Sequence, residues 1–253
     1  MTGQEVTELV TMAELAEAAG LFGRTWYGGD GKQPVSAEML RALSHTGNYV
    51  AGVTIGGKLA GAAAAFRGGH DELHSHVAAV SPAHRAAGIG RAVKLHQQAW
   101  AREQGLAAVT WTFDPLVSRN AYFNLTRLGA SADEYLVDFY GAMADELNAG
   151  QGSDRVLVRW PVTAEGRAEP ALDGRVVLGR APDGGPERAG ALAGPRLLVA
   201  LPPDIESLRQ SRPDLALAWR VAVRETLGAA LAEGRYTVSG VTRSGWYVLE
   251  GDQ

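Results

Sequence analysis

The sequence predicts a mixed α+β protein, with a central mixed sheet flanked by helices and a smaller C-terminal α/β extension. Three observations predict it. Strand-like and helix-like periodicities follow one another irregularly through residues 11–160, not as a regular βαβ array. A run rich in Gly, Pro, Ala and charge, APDGGPERAGALAGP, then breaks the composition, and strand and helix patterns resume after it. The chain has 253 residues, 46% hydrophobic and 21% charged, enough to bury one large core or two small ones.

Residues 11–23 carry apolar side chains at helical spacing and end in glycines. An aromatic, glycine-rich loop follows, Thr25-Trp26-Tyr27-Gly28-Gly29-Asp30-Gly31. Ser36 reads as the N-cap of a second helix. Segments 48–55 and 58–66 flank Gly56-Gly57, a hairpin signal. Segment 72–80 reads as a third strand, 89–104 as a long helix, 107–113 as a buried strand and 118–128 as a short helix closed by Gly129. Strands are expected at 132–140 and 155–160. Residues 163–195 read as a linker or exposed loop with one short strand at 174–179. A strand at 196–201, a helix from Asp214 to about Glu233 and strands at 235–241 and 246–250 complete the chain. The spacing of this last part loosely echoes residues 72–113 without the glycines. Its helix presents Leu215, Leu217, Trp219, Val221, Val223 and Leu227, too many apolar groups to leave in water. The expected domains are therefore 1–162, the linker 163–195 and the extension 196–253.

Charge and composition exclude several classes. The formal net charge is −4, which argues against a general nucleic-acid binder. Without cysteine there is no disulfide, thiolate nucleophile or Cys-ligated zinc. No apolar run approaches the roughly 20 residues that span a bilayer. The start, MTGQEVTELV, lacks the basic and apolar regions of a secretion signal. A cytoplasmic protein with no membrane partner is expected.

The most informative segment is HSHVAAVSPAHRAAGIGR, residues 74–91. A strand ends at Val80, Ser81-Pro82 turns, and Arg85-Ala86-Ala87-Gly88-Ile89-Gly90 opens the long helix. The free amides and positive dipole end of such a helix suit a phosphate. A plain strand–turn–helix connection is the alternative. A Walker loop needs Gly-Lys-Ser/Thr where this chain has Gly90-Arg91-Ala92, and a dinucleotide fingerprint needs a third glycine.

Arg-x-x-Gly-x-Gly after Val-Ser-Pro resembles the acyl-CoA pyrophosphate loop of the GNAT acyltransferase superfamily. The likeness extends over about residues 10–160, including SRNAYFNLTRLGA after the next strand. LHSHVAAV, TWTFDPLVSRNAYFNLTRLGA and DELNAGQGSDRVLVRW are similar to a bacterial predicted-acetyltransferase subgroup with a C-terminal extension. The resemblance implies a GNAT fold and transfer of an acyl group from CoA to an amine by direct attack. The donor would be acetyl-CoA or another short acyl-CoA, succinyl-CoA included, and the acceptor a small-molecule amine or amino acid. An acyl-CoA-binding module without turnover is the alternative. No metal is implied, and a homodimer is left open.

Residue by residue, the resemblance places the pyrophosphate on the amides of Arg85, Ala86, Ala87, Gly88, Ile89, Gly90 and Arg91, and the pantetheine arm along Ala78 and Val80. Arg91 is either a further charged contact or an exposed helix residue. His74 and His76 alternate on one strand face. His76 reads as the base with His74 in support, or the two as a hydrogen-bonded pair or, last, as metal ligands. Tyr122 is a candidate acid for the leaving thiolate, or a packing aromatic. It lies one turn before Leu125, which occupies the position of the usual family tyrosine. Ser118 and Asn120 are candidate contacts for the cofactor arm, Asn120 also a candidate cap. Trp26, Tyr27 and Asp30 border the implied acceptor site or anchor their loop. Asp114 either orients an imidazole or amine, or starts the turn before Pro115.

Overall fold

A computed structural model describes residues 5–28, 31–69, 71–85, 87–141 and 152–251. The chain forms two compact units, Met1–Trp111 and Thr112–Gln253.

The first unit contains β1 (Val6–Glu8), α1 (Met12–Trp26), α2 (Ala37–His45), β2 (Tyr49–Ile55), β3 (Lys58–Arg67), β4 (Glu72–Val80), α3 (Ile89–Glu103) and β5 (Ala108–Phe113), which carries the chain onward. A Thr11–Glu14 capping box starts α1, and Ser36 caps α2 as expected. The strands neighbour one another in the order β1-β2-β3-β4-β5. Among the described residues, β4 and β5 pair in parallel and the other neighbours antiparallel. The apolar stripe of α1, with Leu15, Ala18, Ala19 and Phe22, packs on Val50, Ala62, Ala64, Val77 and Ala79 of the sheet. Fourteen buried residues form this cluster around α1 and α2. Burying each Leu or Phe there contributes about 1.5–3 kcal/mol before entropy.

β4 contains a bulge. Ala64 pairs with Val77 and Ala65 with Ser75, so His76 has no counterpart on β3. The bulge reverses the parity of the strand. Val77 and Ala79 join the α1–α2 core beyond it, whereas before it His74 is the residue that shares a face with Phe66. On the other face, Gly61 lies opposite Val80. Any Cβ at Gly61 would collide with Ile89, so glycine is what lets the first turn of α3 rest on β3.

In the second unit, α4 (Ser118–Ala121) runs into a π turn, Tyr122–Arg127, and then into the antiparallel pair β6 (Ser131–Leu136) and β7 (Arg155–Pro161). β8 (Arg175–Arg180), β9 (Pro186–Arg188) and β10 (Arg196–Ala200) follow. Next come α5 (Ile205–Ser211), α6 (Pro213–Val223), a second π turn at Arg224–Gly228, α7 (Ala229–Ala232), β11 (Tyr236–Val241) and β12 (Trp246–Gly251). A five-stranded sheet has the order β11-β12-β10-β8-β9. The expected strand at 174–179 is β8, and its Val177 and Leu178 are fully buried. Segment 163–195 also contributes β9, which the Gly/Pro-rich composition concealed.

Within this unit one pattern occurs twice. α4, a π turn and the β6–β7 hairpin match α6, a π turn, α7 and the β11–β12 hairpin. Each hairpin has one register shift. Thr126 in the first π turn donates to Val241 O (2.7 Å) and accepts from Val241 N (2.8 Å). Tyr135 of β6 stacks against Gly228 of the second π turn. The C-terminal part therefore echoes 118–161 more closely than 72–113. Its helix buries Leu215, Trp219, Val223 and Leu227, while Leu217 and Val221 are exposed and Arg220 takes an interior position. Among the described residues, no helix is long and apolar enough to cross a membrane.

Candidate functional site

The segment singled out by sequence has the predicted local structure. β4 ends at Val80, Pro82–His84 make a short 3-10 turn, and Gly88 is the N-cap of α3. Gly88 has φ 81°, a left-handed conformation that disfavours a side chain. No side chain caps α3, and its first intrahelical bond comes from Ala92 to Gly88 O (3.0 Å). The preceding first-turn amides, of Ile89, Gly90 and Arg91, are thus the helix's orphan donors. Arg85, Ala87, Gly88 and Arg91 are exposed, and the Ile89 side chain is buried. Ala86 lies outside the described residues. His84 Nδ1 is buried with no hydrogen-bond partner among the described residues. Uncapped amides, the helix dipole and a polar atom in need of a partner fit an anionic group such as a pyrophosphate.

The β4–β5 ladder provides the second feature. It comprises Glu72–Ala108, Leu73–Val109 and His74–Thr110, and ends there. Beyond His74 the β4 backbone runs on to Val80, paired among the described residues with β3. Ala78 is exposed and Val80 half-buried along this stretch. Backbone groups freed from a ladder can accept an extended ligand as an added strand.

Both histidines lie against the Phe66 ring, with centroids 5.2 Å away for His74 and 6.0 Å for His76. His74 Nδ1 is 3.3 Å from Thr110 Oγ1. Burial, then the charges of His76 and Lys94, hold the His74 pKa below its ordinary value against the pull of Glu72. Burial lowers that of His76. Both rings are therefore free bases at neutral pH, the form that accepts a proton. Because of the bulge, the histidines share a face with each other but not with Val80, which looks toward α3.

Trp26 closes α1 and is 36% exposed, and Tyr27 is the half-buried C-cap. Asp30 lies outside the described residues. In the second unit, Ser118 opens α4 and is half-buried. Asn120 is exposed inside that helix, so it is not its cap, a position held by Val117. Tyr122 is half-buried and its hydroxyl accepts from Arg243 Nε at 3.0 Å. Leu125 is wholly buried.

Asp114 starts the turn before Pro115, its Oδ1 accepting from Leu116 N at 3.0 Å. Its carboxylate is held by Arg209 and, in bidentate fashion, by Arg220 at 2.8 and 2.9 Å. Burial alone would raise its pKa, but the two guanidinium groups outweigh burial and keep the carboxyl well below the usual range. Asp114, Arg209 and Arg220 thus form a buried ion triad. Lys94, which sequence reasoning passed over, is buried on the α3 face of the sheet. It donates to Ser75 Oγ (2.9 Å) and Gln97 Oε1 (3.1 Å), and its Nζ stands 3.8 Å from the Trp111 ring centroid. Among the described residues no three His, Cys, Asp or Glu side chains cluster as metal ligands.

The chain has the GNAT fold. Residues 15–128 match the family model of the acetyltransferase (GNAT) family. Solved structures with the same fold include the ribosomal-protein-S18-alanine N-acetyltransferase of Escherichia coli, with 18% identity over 66% of this chain and 99% of that one and a TM-score of 0.50. The yncA protein of Salmonella typhimurium, solved with its cofactor acetyl-CoA, has 15% identity over 66% and 98%, with a TM-score of 0.51. An N-acetyltransferase of Staphylococcus aureus Mu50 has 11% identity over 63% and 98%, with a TM-score of 0.52. No curated protein matches the chain.

Proposed function

We propose that the chain is an acyl-CoA-dependent N-acyltransferase, with acetyl-CoA as the donor and a small-molecule amine or amino acid as the acceptor. The observation that carries this reading is the uncapped, glycine-started α3 at the end of a bulged strand whose β5 ladder stops at His74. The amides from Arg85 to Arg91, Ala86 included, hold the pyrophosphate, with the Arg91 side chain as a further charged contact. Backbone at Ala78 and Val80 holds the pantetheine arm, with Ser118 and Asn120 as additional contacts. Bound acyl-CoA supplies the thioester. The protein's own groups orient it and move protons.

His76 takes a proton from the acceptor ammonium, with His74 in support, because both rings are neutral at the working pH. The freed amine attacks the thioester carbonyl carbon. The new C–N bond forms and the C–S bond breaks; Tyr122 gives a proton to the leaving thiolate and regains one from the nitrogen, which sheds its second proton to become the amide. Trp26 and Tyr27 border the acceptor. The acyltransferase domain extends over about residues 1–162. The lengths of the similar structures, which correspond to 63–66% of this chain, support that extent.

Steady-state kinetics of His76→Ala test the reading. Turnover at neutral pH should fall by about 10²–10⁴-fold, with acetyl-CoA affinity kept. An unchanged rate from about pH 6 to 9 would remove His76 from the mechanism.

A further inference from the structure

Lys94 occupies a singular place in the sheet. The last ladder pair between β4 and β5 is His74–Thr110. The next residue on β4 is Ser75 and the next on β5 is Trp111. The Lys94 ammonium lies against both, 2.9 Å from Ser75 Oγ and 3.8 Å from the Trp111 centroid, with Gln97 Oε1 as its third partner. Ser75 also borders the bulge at His76. α3 thus places one cation at the fork where the two strands part. The same helix begins at the phosphate-type turn, five residues upstream of this contact.

We propose that Lys94 is a positioning residue, which ties Ser75 to Trp111 at the fork and so fixes the opened β4 edge and the bulge that carries His76. The link to catalysis rests on the function proposed above; the mechanical role at the fork does not. An apolar side chain would fill this buried site at less desolvation cost. A buried amine held only by Ser75, Gln97 and the Trp111 ring among the described residues points to a duty other than stability.

Lys94→Met, Ser75→Ala and the double variant test this, by hydrogen exchange, thermal melting and kinetics with acetyl-CoA. Lys94→Met should melt at or above the wild-type temperature. Its amides at residues 76–78 should exchange at least about tenfold faster, and kcat/KM should fall roughly 10- to 100-fold through misplacement of the slot. Ser75→Ala, a milder change, should move exchange the same way by less, and keeps the test alive if Lys94→Met does not fold. The double variant should be no worse than Lys94→Met. Unchanged exchange and unchanged kcat/KM in a folded Lys94→Met protein, or strictly additive losses, would overturn the proposal. Faster exchange in a protein with no transferase activity would uphold the fork and refute the proposed function instead.

Discussion

Two parallel strand pairs among the described residues, β4–β5 and β8–β10, are built to different ends. β10 is laddered to β12 along all of Arg196–Ala200 and to β8 through Leu197, Leu198 and Val199. Leu197 to Ala200 are buried in a continuous run. β4 keeps its β5 partner for three residues, then alternates buried and accessible positions up to Val80. The helices that follow differ in the same sense. α5 is capped by its own Asp204, whose carboxylate accepts from Ser207 N at 3.0 Å, and Glu206 adds negative charge to its first turn. α3 has a glycine N-cap, no side-chain cap and no acidic residue in its first turn. A fully paired strand and a self-capped helix leave nothing for a ligand. An unladdered edge and uncapped amides leave an extended slot and an anion seat. On the function proposed above, the chemistry belongs to β4–α3.

This contrast can be broken at either end. The largest expected effect on stability is at Asp114, where Asp114→Ala strands Arg209 and Arg220. Loss of one partner of a buried ion group costs about 3–5 kcal/mol, measurable as a lower denaturant midpoint. The pH dependence has the same origin. The Asp114 pKa is depressed on folding, so its contribution is present above the unfolded carboxylate range and is lost as pH falls through the folded value.

Gly88→Asp should weaken acetyl-CoA binding by on the order of 100-fold or more, since it sets a side chain and a negative charge beside the phosphates. Calorimetry checks it. The counterpart at the other helix, Asp204→Ala, should cost only about 1 kcal/mol of stability for a lost cap and leave acetyl-CoA affinity untouched. Equal effects of the two variants on binding would erase the distinction between the regions.

Lys94 gives the gentlest test. Burial pulls its pKa down to about 7. Between that value and the unfolded value, near 10.4, the unfolded chain carries a proton that the folded one lacks. Stability therefore rises with pH across this window, with a slope of up to about 1.4 kcal/mol per pH unit from this one group. Lys94→Met should flatten that part of the curve in urea titrations between about pH 7.5 and 9.5.

The β4 and α3 boundaries were legible because local chemistry writes them: alternating side chains, a Ser-Pro turn and glycines before a helical run. The bulge at His76 was not, since it depends on the register against β3 and reverses face parity without any change of residue type. Nothing near Lys94 in the sequence marks it, because Ser75 and Trp111 come from two other elements. Asp114 and Arg220 are 106 residues apart in sequence, so nothing near Asp114 marks it as an ion-pair centre. The exposure of Leu217 and Val221, against the burial of Arg220 between them, has the same source. β8 and β9 were obscured by Gly and Pro, which report turn chemistry but not whether short strands between the turns find partners. The resemblance to GNAT enzymes, drawn from residues 74–91 and 118–130, rested on the part of the chain whose local signals are strongest.

The most direct measurement of the central claim is a calorimetric titration of the whole chain with acetyl-CoA. One site per chain is predicted, abolished by Gly88→Asp and retained in Asp204→Ala. No binding, two equivalent sites, or a single site indifferent to Gly88→Asp would contradict the assignment of ligand binding to β4–α3.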